Sequence, residues 1–222
     1  MSLVGTIETA SGRFLSIIDP NVDDINLGDI TFVLSRMGRF GGHAPIPVPY
    51  SVAQHSSFCT ELLVEYATGD SPVGRDRVFD AFLAERLPDA SIAAIKKGIT
   101  KKTLLHVLFH DASEAYLVDL PTPIKRIPGI KEAYLALEQK MMEAIYAKFN
   151  LPPMTEVEQT LVHMVDGYAL CVEAYHMMPS RGKDWNLPMQ IAHTDKLRPP
   201  VVKTWEEARD EFQRMVVELY EG

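Results

Sequence analysis

The chain has 222 residues, 46% hydrophobic and 23% charged, with a formal net charge of −8; it can bury one large core without disulfide staples, which excludes disorder as its main state. The acidic balance argues against a surface that wraps a polynucleotide, because such a surface gains affinity by replacing condensed counterions with basic groups. No basic start leads into an apolar run, no stretch approaches the length of a membrane span, and Cys59 and Cys171 form neither a disulfide framework nor a CxxC clip, so the composition points to a cytoplasmic protein without a membrane or polynucleotide partner.

Residues 1–26 either form a short hairpin or pack extended. From 27 to 37, Leu27, Ile30, Val33, Leu34 and Met37 recur at helical spacing, and Gly38, Gly41 and Gly42 end the pattern. His43 to Pro49 holds three prolines and must be a loop, since each fixes φ and removes a donor. Ser51 then caps a helix running to about Tyr66. Residues 76–87 are expected to form a third helix, and 91–98 another helix or a connection. From Lys101 to Leu117 no breaker interrupts an apolar, helix-like run, which predicts one continuous helix buried on several sides. Pro121 to Pro128 reads as a turn, Lys131–Phe149 and Glu156–Met177 as two long amphipathic helices, and 179–203 as a long loop. Thr204 caps a last helix to Tyr220, with Glu206 and Glu207 favourable in its first turn. The expectation is an all-α, single-domain bundle spanning residues 1–222.

Polar residues on core faces carry the functional signal. On a continuous helix over 101–117, His106, His110, Asp111 and Glu114 share one arc among leucines and alanines. His55 lies on the apolar stripe of Val52, Phe58, Cys59, Leu62 and Tyr66, and Asp166 lies among Val162, Val165, Ala169 and Leu170. Taken singly, each is better explained as a satisfied core histidine or a hydrogen-bond anchor. Together, His55, the pair His110 and Asp111, and Asp166 make a set of two imidazoles and two carboxylates on three buried elements. A divalent ion such as Zn, Co, Mn or Fe suits that mixture better than Ca or Cu(I), and a common metal partner answers the cost of burying unpaired charge.

The stretch HDASEAYLVDLPTPIK, His110 to Lys125, resembles the HD-domain superfamily of metal-dependent phosphohydrolases. It is similar to the YfbR-type 5'-deoxynucleotidases and to phage-type enzymes that hydrolyse deoxynucleoside triphosphates. LSRMGRFGG (Leu34–Gly42), YSVAQHS (Tyr50–Ser56) and VDGYALCVEAY (Val165–Tyr175) extend the resemblance over roughly residues 27–178, with 179–222 a C-terminal loop and helix outside it. The resemblance implies that His55, His110, Asp111 and Asp166 bind one divalent metal and that Glu114 and Asp119 lie at the reacting centre. An arginine before the glycine-rich loop holds the phosphate, Arg39 in preference to Arg36. Phe40, standing where YfbR-type enzymes have tryptophan, packs against the sugar. Lys125 adds positive charge near the phosphate, while His106, Glu173 and His176 remain supporting candidates.

The expected activity is hydrolysis of deoxynucleoside 5'-monophosphates, with Glu114 and Asp119 managing protons and the arginine's planar fork pairing two phosphoryl oxygens. Three alternatives stay open: a triphosphohydrolase releasing intact triphosphate, a non-catalytic nucleotide-binding HD module, and a bundle with a structural metal. A homodimer is expected.

Overall fold

A computed structural model describes residues 4–69, 77–187 and 198–221. The N-terminal residues take the hairpin alternative. Strand β1 (Thr6–Glu8) pairs antiparallel with β2 (Phe14–Ser16), with Ile7 opposite Leu15. The turn between them is tied to helix α1 (Leu27–Arg36): the carboxylate of Asp29 accepts hydrogen bonds from the Ser11 amide (2.7 Å) and hydroxyl (2.8 Å), and Asn26 caps the helix through the Asp29 amide. A proline-rich segment then leads to Ser51, whose hydroxyl accepts from the Gln54 amide and starts α2 (Val52–Thr68).

Helix α3 (Arg77–Ala84) is shorter than the expected 76–87, and residue 76 lies outside the described residues. The uncertain segment 91–98 is a helix, α4 (Asp89–Lys97). The continuous helix expected over 101–117 is broken. Helix α5 (Lys101–Leu108) ends, a turn carries His110 and Asp111, and one helical turn, α6 (Glu114–Leu117), follows. The break replaces i→i−4 bonding with i→i−3 bonds, among them Ala112 N to Phe109 O at 2.9 Å and Glu114 N to Asp111 O at 3.0 Å.

The proline-rich turn contains a single helical turn, α7 (Thr122–Lys125), and is followed by α8 (Ile130–Lys148). Helix α9 (Glu156–Met177) opens on a capping box between Thr155 and Glu158. Of the long loop expected over 179–203, residues 188–197 lie outside the described residues. The chain re-emerges at Arg198, which pairs with Glu61 and Glu65 on α2, and enters α10 (Trp205–Glu221) through the Thr204 cap. The fold is all-α apart from the hairpin. Among the described residues no helix is long and apolar enough to cross a membrane.

Two apolar clusters form the interior. One joins the hairpin, α1 and α10 to Leu105, Leu108 and Phe109, and takes in Val52 and Ala53 from the start of α2. The other joins α3 and α4 to the core face of α9, with Phe58, Cys59, Leu62 and Leu63 from the rest of α2 and Val107 from α5. Helices α2 and α5 serve both clusters. His55 falls on α2 between its contributions to the two, and His110 directly follows the segment of α5 that does the same.

Candidate metal centre

The side chain of His55, the fourth residue of α2, is fully buried. Its Nδ1 lies 2.7 Å from Oε1 of Glu173, a carboxylate acceptor. Because a carboxylate can only accept here, that bond places a proton on Nδ1 and turns Nε2 toward the cluster. His110 is set the same way by another acceptor: its Nδ1 lies 2.7 Å from the backbone carbonyl of Val107, so the break after α5 turns the ring back onto its own helix and presents Nε2. Fixing the far nitrogen in this manner is how metal-ligating histidines are oriented.

The two Nε2 atoms lie 3.3 Å apart. Asp111 Oδ2 is 3.2 Å from His110 Nε2 and 3.7 Å from His55 Nε2. Asp166 Oδ1 is 3.2 Å from His55 Nε2 and 3.9 Å from His110 Nε2. An ion with ligands at about 2.0–2.2 Å separates neighbouring ligand atoms by roughly 3–3.5 Å; the shortest spacings, 3.2 and 3.3 Å, fall in that range, and the 3.7 and 3.9 Å spacings are somewhat wider. Cys59, one turn beyond His55, also approaches it, with Sγ 3.6 Å from Nε2. The group His55, Cys59 and His110 can hold a metal ion. Burial pushes the Cys59 thiol up to about 11. The charges hold one another: burial opposes it, but the surrounding carboxylates raise both His55 and His110, and the two protonated rings in turn keep Asp111 and Asp166 below the usual carboxylate range, so a bound ion would take the place of the Nε2 protons.

Arg39 stands beside this set. Its backbone amide donates to the Tyr50 carbonyl at 2.8 Å, and Met37 O accepts from the Val52 amide, so the segment is pinned to the start of α2. Nη1 lies 3.5 Å from Asp111 Oδ2 and Nε lies 3.3 Å from Glu173 Oε2. Burial works against this charge, and the carboxylates of Glu173, Asp111, Asp166 and Asp119 more than offset it, holding the guanidinium firmly protonated. Phe40 follows with φ 58° and Gly41 with φ 59°. Two left-handed residues in succession turn the chain sharply, setting the Phe40 ring edge-on to Trp185 at 5.9 Å and 5.8 Å from the Arg39 guanidinium.

Glu114 opens α6, 3% exposed, with Oε1 3.3 Å from Lys125 Nζ. Burial, reinforced by Asp111 and Asp119, pushes its carboxyl up to about 9 against the pull of Lys125 and Arg39. Asp119 is partly buried, its amide directed at Met37 Sδ, and burial raises it as well, with Arg39 opposing. The residue before it, Val118, has φ 66° and ψ 153°. That region is nearly restricted to glycine and costs of order 1–3 kcal/mol; Tyr134 secures it by donating to the Val118 carbonyl at 2.8 Å.

Arg39, Phe40, His55, His110, Asp111 and Asp166 thus assemble, and Glu114, Asp119 and Lys125 adjoin them. Arg36 does not join the group. It is stacked against Phe32 and Trp205, 4.3 and 4.2 Å from the ring centres, on the side of α1 that meets α10. His106 is also directed away, buried against Tyr146, because the break after Leu108 takes His110 off its helical arc. His176 is exposed beside Tyr175. Sequence reasoning left Glu173 without a defined role and missed Tyr50 and Trp185. For Glu173 a signal existed: it is a charged residue two helical turns beyond Asp166, on a core face of α9. Trp185 arrives from a turn whose position no local pattern reveals.

A cleft of about 690 Å³ runs along α8 to His110, lined by Leu135, Met142, Tyr146 and Leu151 and by the acidic Glu138 and Glu143.

No protein-family model matches the chain. It is 31% identical over 189 residues to the uncharacterized protein YfdR of Escherichia coli (strain K12), covering 85% of this chain and 82% of YfdR. It is 30% identical over 142 residues to the uncharacterized protein RCAP_rcc00048 of Rhodobacter capsulatus, covering 64% of this chain and 57% of that protein.

Proposed function

The chain belongs to the same family as the uncharacterized Escherichia coli protein YfdR; from its histidine–carboxylate cluster and the resemblance carried by His110 to Lys125 we propose that it is an HD-type, metal-dependent phosphohydrolase that releases phosphate from deoxynucleoside 5'-monophosphates. The observation that carries the proposal is the convergence of four donor atoms from His55, His110, Asp111 and Asp166, with the Arg39 guanidinium 3.5 Å from one of them. A borderline divalent ion, Zn, Co, Mn or Fe, fits two imidazoles and two carboxylates whose protonated nitrogens point away from the centre. When bound it supplies Lewis acidity toward phosphoryl oxygens and a nucleophile activated at neutral pH.

The chain's own groups do the rest. Arg39 offsets phosphate charge and fixes its orientation through a planar fork. Water adds to phosphorus, the bond from phosphorus to the ester oxygen breaks, and that oxygen must receive a proton as it leaves. Glu114, held protonated near neutral pH and steadied by Lys125, is suited to donate it. Asp119, whose carboxylate feels the charges of Arg39, Asp111 and Lys125, would share the proton traffic or accept a hydrogen bond from a sugar hydroxyl. Phe40 and Trp185 offer an aromatic wall beside the arginine for the sugar. The cleft along α8 reaches the cluster at His110, and its apolar lining could accept an uncharged nucleoside.

The test uses metal-stripped protein resupplied with Co, Mn, Zn or Mg and given deoxy- and ribonucleoside mono- and triphosphates. Metal-dependent phosphate from deoxynucleoside monophosphates is expected. Asp111→Ala should lose both metal and turnover, whereas Glu114→Gln should keep the metal and lose about 10²–10⁴ in kcat. Release of intact triphosphate would move the activity to a triphosphohydrolase, and no product from any nucleotide would leave a nucleotide-binding module.

A further inference from the structure

Glu173 has no part in the reaction scheme above, yet it is the most completely enclosed carboxylate beside the cluster. Its side chain is fully buried in α9. Oε1 accepts from Tyr50 Oη at 3.1 Å and from His55 Nδ1 at 2.7 Å. Oε2 lies 3.3 Å from Arg39 Nε, close enough to pair charges but without hydrogen-bond alignment. The three partners come from separate places: the turn after α1, the residue before the Ser51 cap, and α2 itself.

We infer that Glu173 is a positioning residue that uses one carboxylate to orient both the metal-binding face of His55 and the guanidinium of Arg39, so that the cation site and the oxyanion anchor are set together. The inference rests on the proposed reading of His55 as a metal ligand and Arg39 as a phosphate anchor. A buried carboxylate is tolerated where donors surround it, and here the donors are the two groups the chemistry needs. Accepting from Nδ1 aims His55 Nε2 at His110. Pairing with Nε leaves the charge of the Arg39 guanidinium held between Glu173 and Asp111, with Nη1 3.5 Å from the Asp111 carboxylate.

Charge and positioning make opposite predictions for Glu173→Gln. Removing a negative charge beside Arg39 would, acting through space alone, tighten the binding of an anion. Loss of positioning would weaken it. The experiment measures Zn or Co affinity by competition with a chromogenic chelator, and inorganic phosphate binding by calorimetry at saturating metal, on the full chain. We expect Glu173→Gln to lower metal affinity about 10- to 100-fold and to weaken phosphate binding even when the metal site is filled. Glu173→Asp keeps the charge, shortens the reach by one methylene and should show the same losses. Tyr50→Phe removes one donor and should show a smaller loss of metal affinity; these two variants carry the test if the glutamine variant fails to fold. Lowered thermal stability with unchanged metal affinity, or tighter phosphate binding in Glu173→Gln, would overturn the inference. Wild-type chain that binds no metal would overturn the parent reading and this one with it, whereas wild-type that binds metal and turns over while Glu173→Gln matches it would overturn this one alone.

Discussion

His106 shows what becomes of a histidine on this scaffold when no acceptor meets it. It is fully buried, its ring stands edge-on to Tyr146 at 5.0 Å, and neither nitrogen has a hydrogen-bond partner among the described residues. Burial lowers its pKa below the usual 6.5 despite the pull of Glu158. The folded state therefore binds fewer protons than the unfolded chain below about pH 6.5. Its contribution is fully present above that value and is lost as pH falls through the lowered folded pKa. Replacing it with Leu should make stability less sensitive to acid. In urea titrations the gap between wild type and His106→Leu should move in the variant's favour from pH 7.5 to pH 5, and a gap constant with pH would refute the argument. The sequence identified His106 as a polar residue in an apolar helix but assigned it to the same face as His110. Nothing local in LLHVLFHDASEAYL marks the break that separates them. The acceptors that orient His55 and His110 are equally nonlocal or conformational: one lies on α9, and the other is a carbonyl exposed by the break itself.

At the level of elements, the caps were legible because their chemistry is short-range. Ser51 and Thr204, expected as caps, each accept from an amide three residues on and are followed by a helix-period pattern; Thr155, which the sequence reading did not single out, does the same at the start of α9. The division of 101–117 was not legible, because helical propensity there is overridden by packing. Phe109, at the break, stacks on Phe149 with ring centres 4.7 Å apart and meets Phe212 of α10 at 6.0 Å. Helix α10 is thus a clamp on the residue just before His110. Phe212 is fully buried, so truncation to Ala should cost about 3–5 kcal/mol through lost transfer energy and the cavity left behind. Denaturant unfolding at neutral pH measures this directly. A loss below about 1 kcal/mol would show that α10 does not seat against the break.

Across the molecule, hydrophobic period foretold helices, but which faces would meet depends on long-range packing that period does not encode. The result is two apolar clusters with α2 and α5 shared between them, and a polar cluster whose donors come from α2, the turn after α5, and α9. An ion held by those donors would tie three elements together in the folded state and find no preformed site in the unfolded one. Binding to the folded state alone stabilises by RT ln(1 + [L]/Kd), about 2.7 kcal/mol at a hundredfold excess over Kd. For a chain of 222 residues each kcal/mol moves the Tm by about 2–4 °C. Chelation should therefore lower the Tm by roughly 5–10 °C, and stepwise return of Zn or Co should restore it as the logarithm of free metal. His110→Ala should unfold at one temperature whether or not metal is present. A metal-dependent Tm in that variant equal to the wild-type shift would mean that the stabilising ion sits elsewhere, and a wild-type Tm indifferent to chelation and to added metal would remove the cluster as a metal centre.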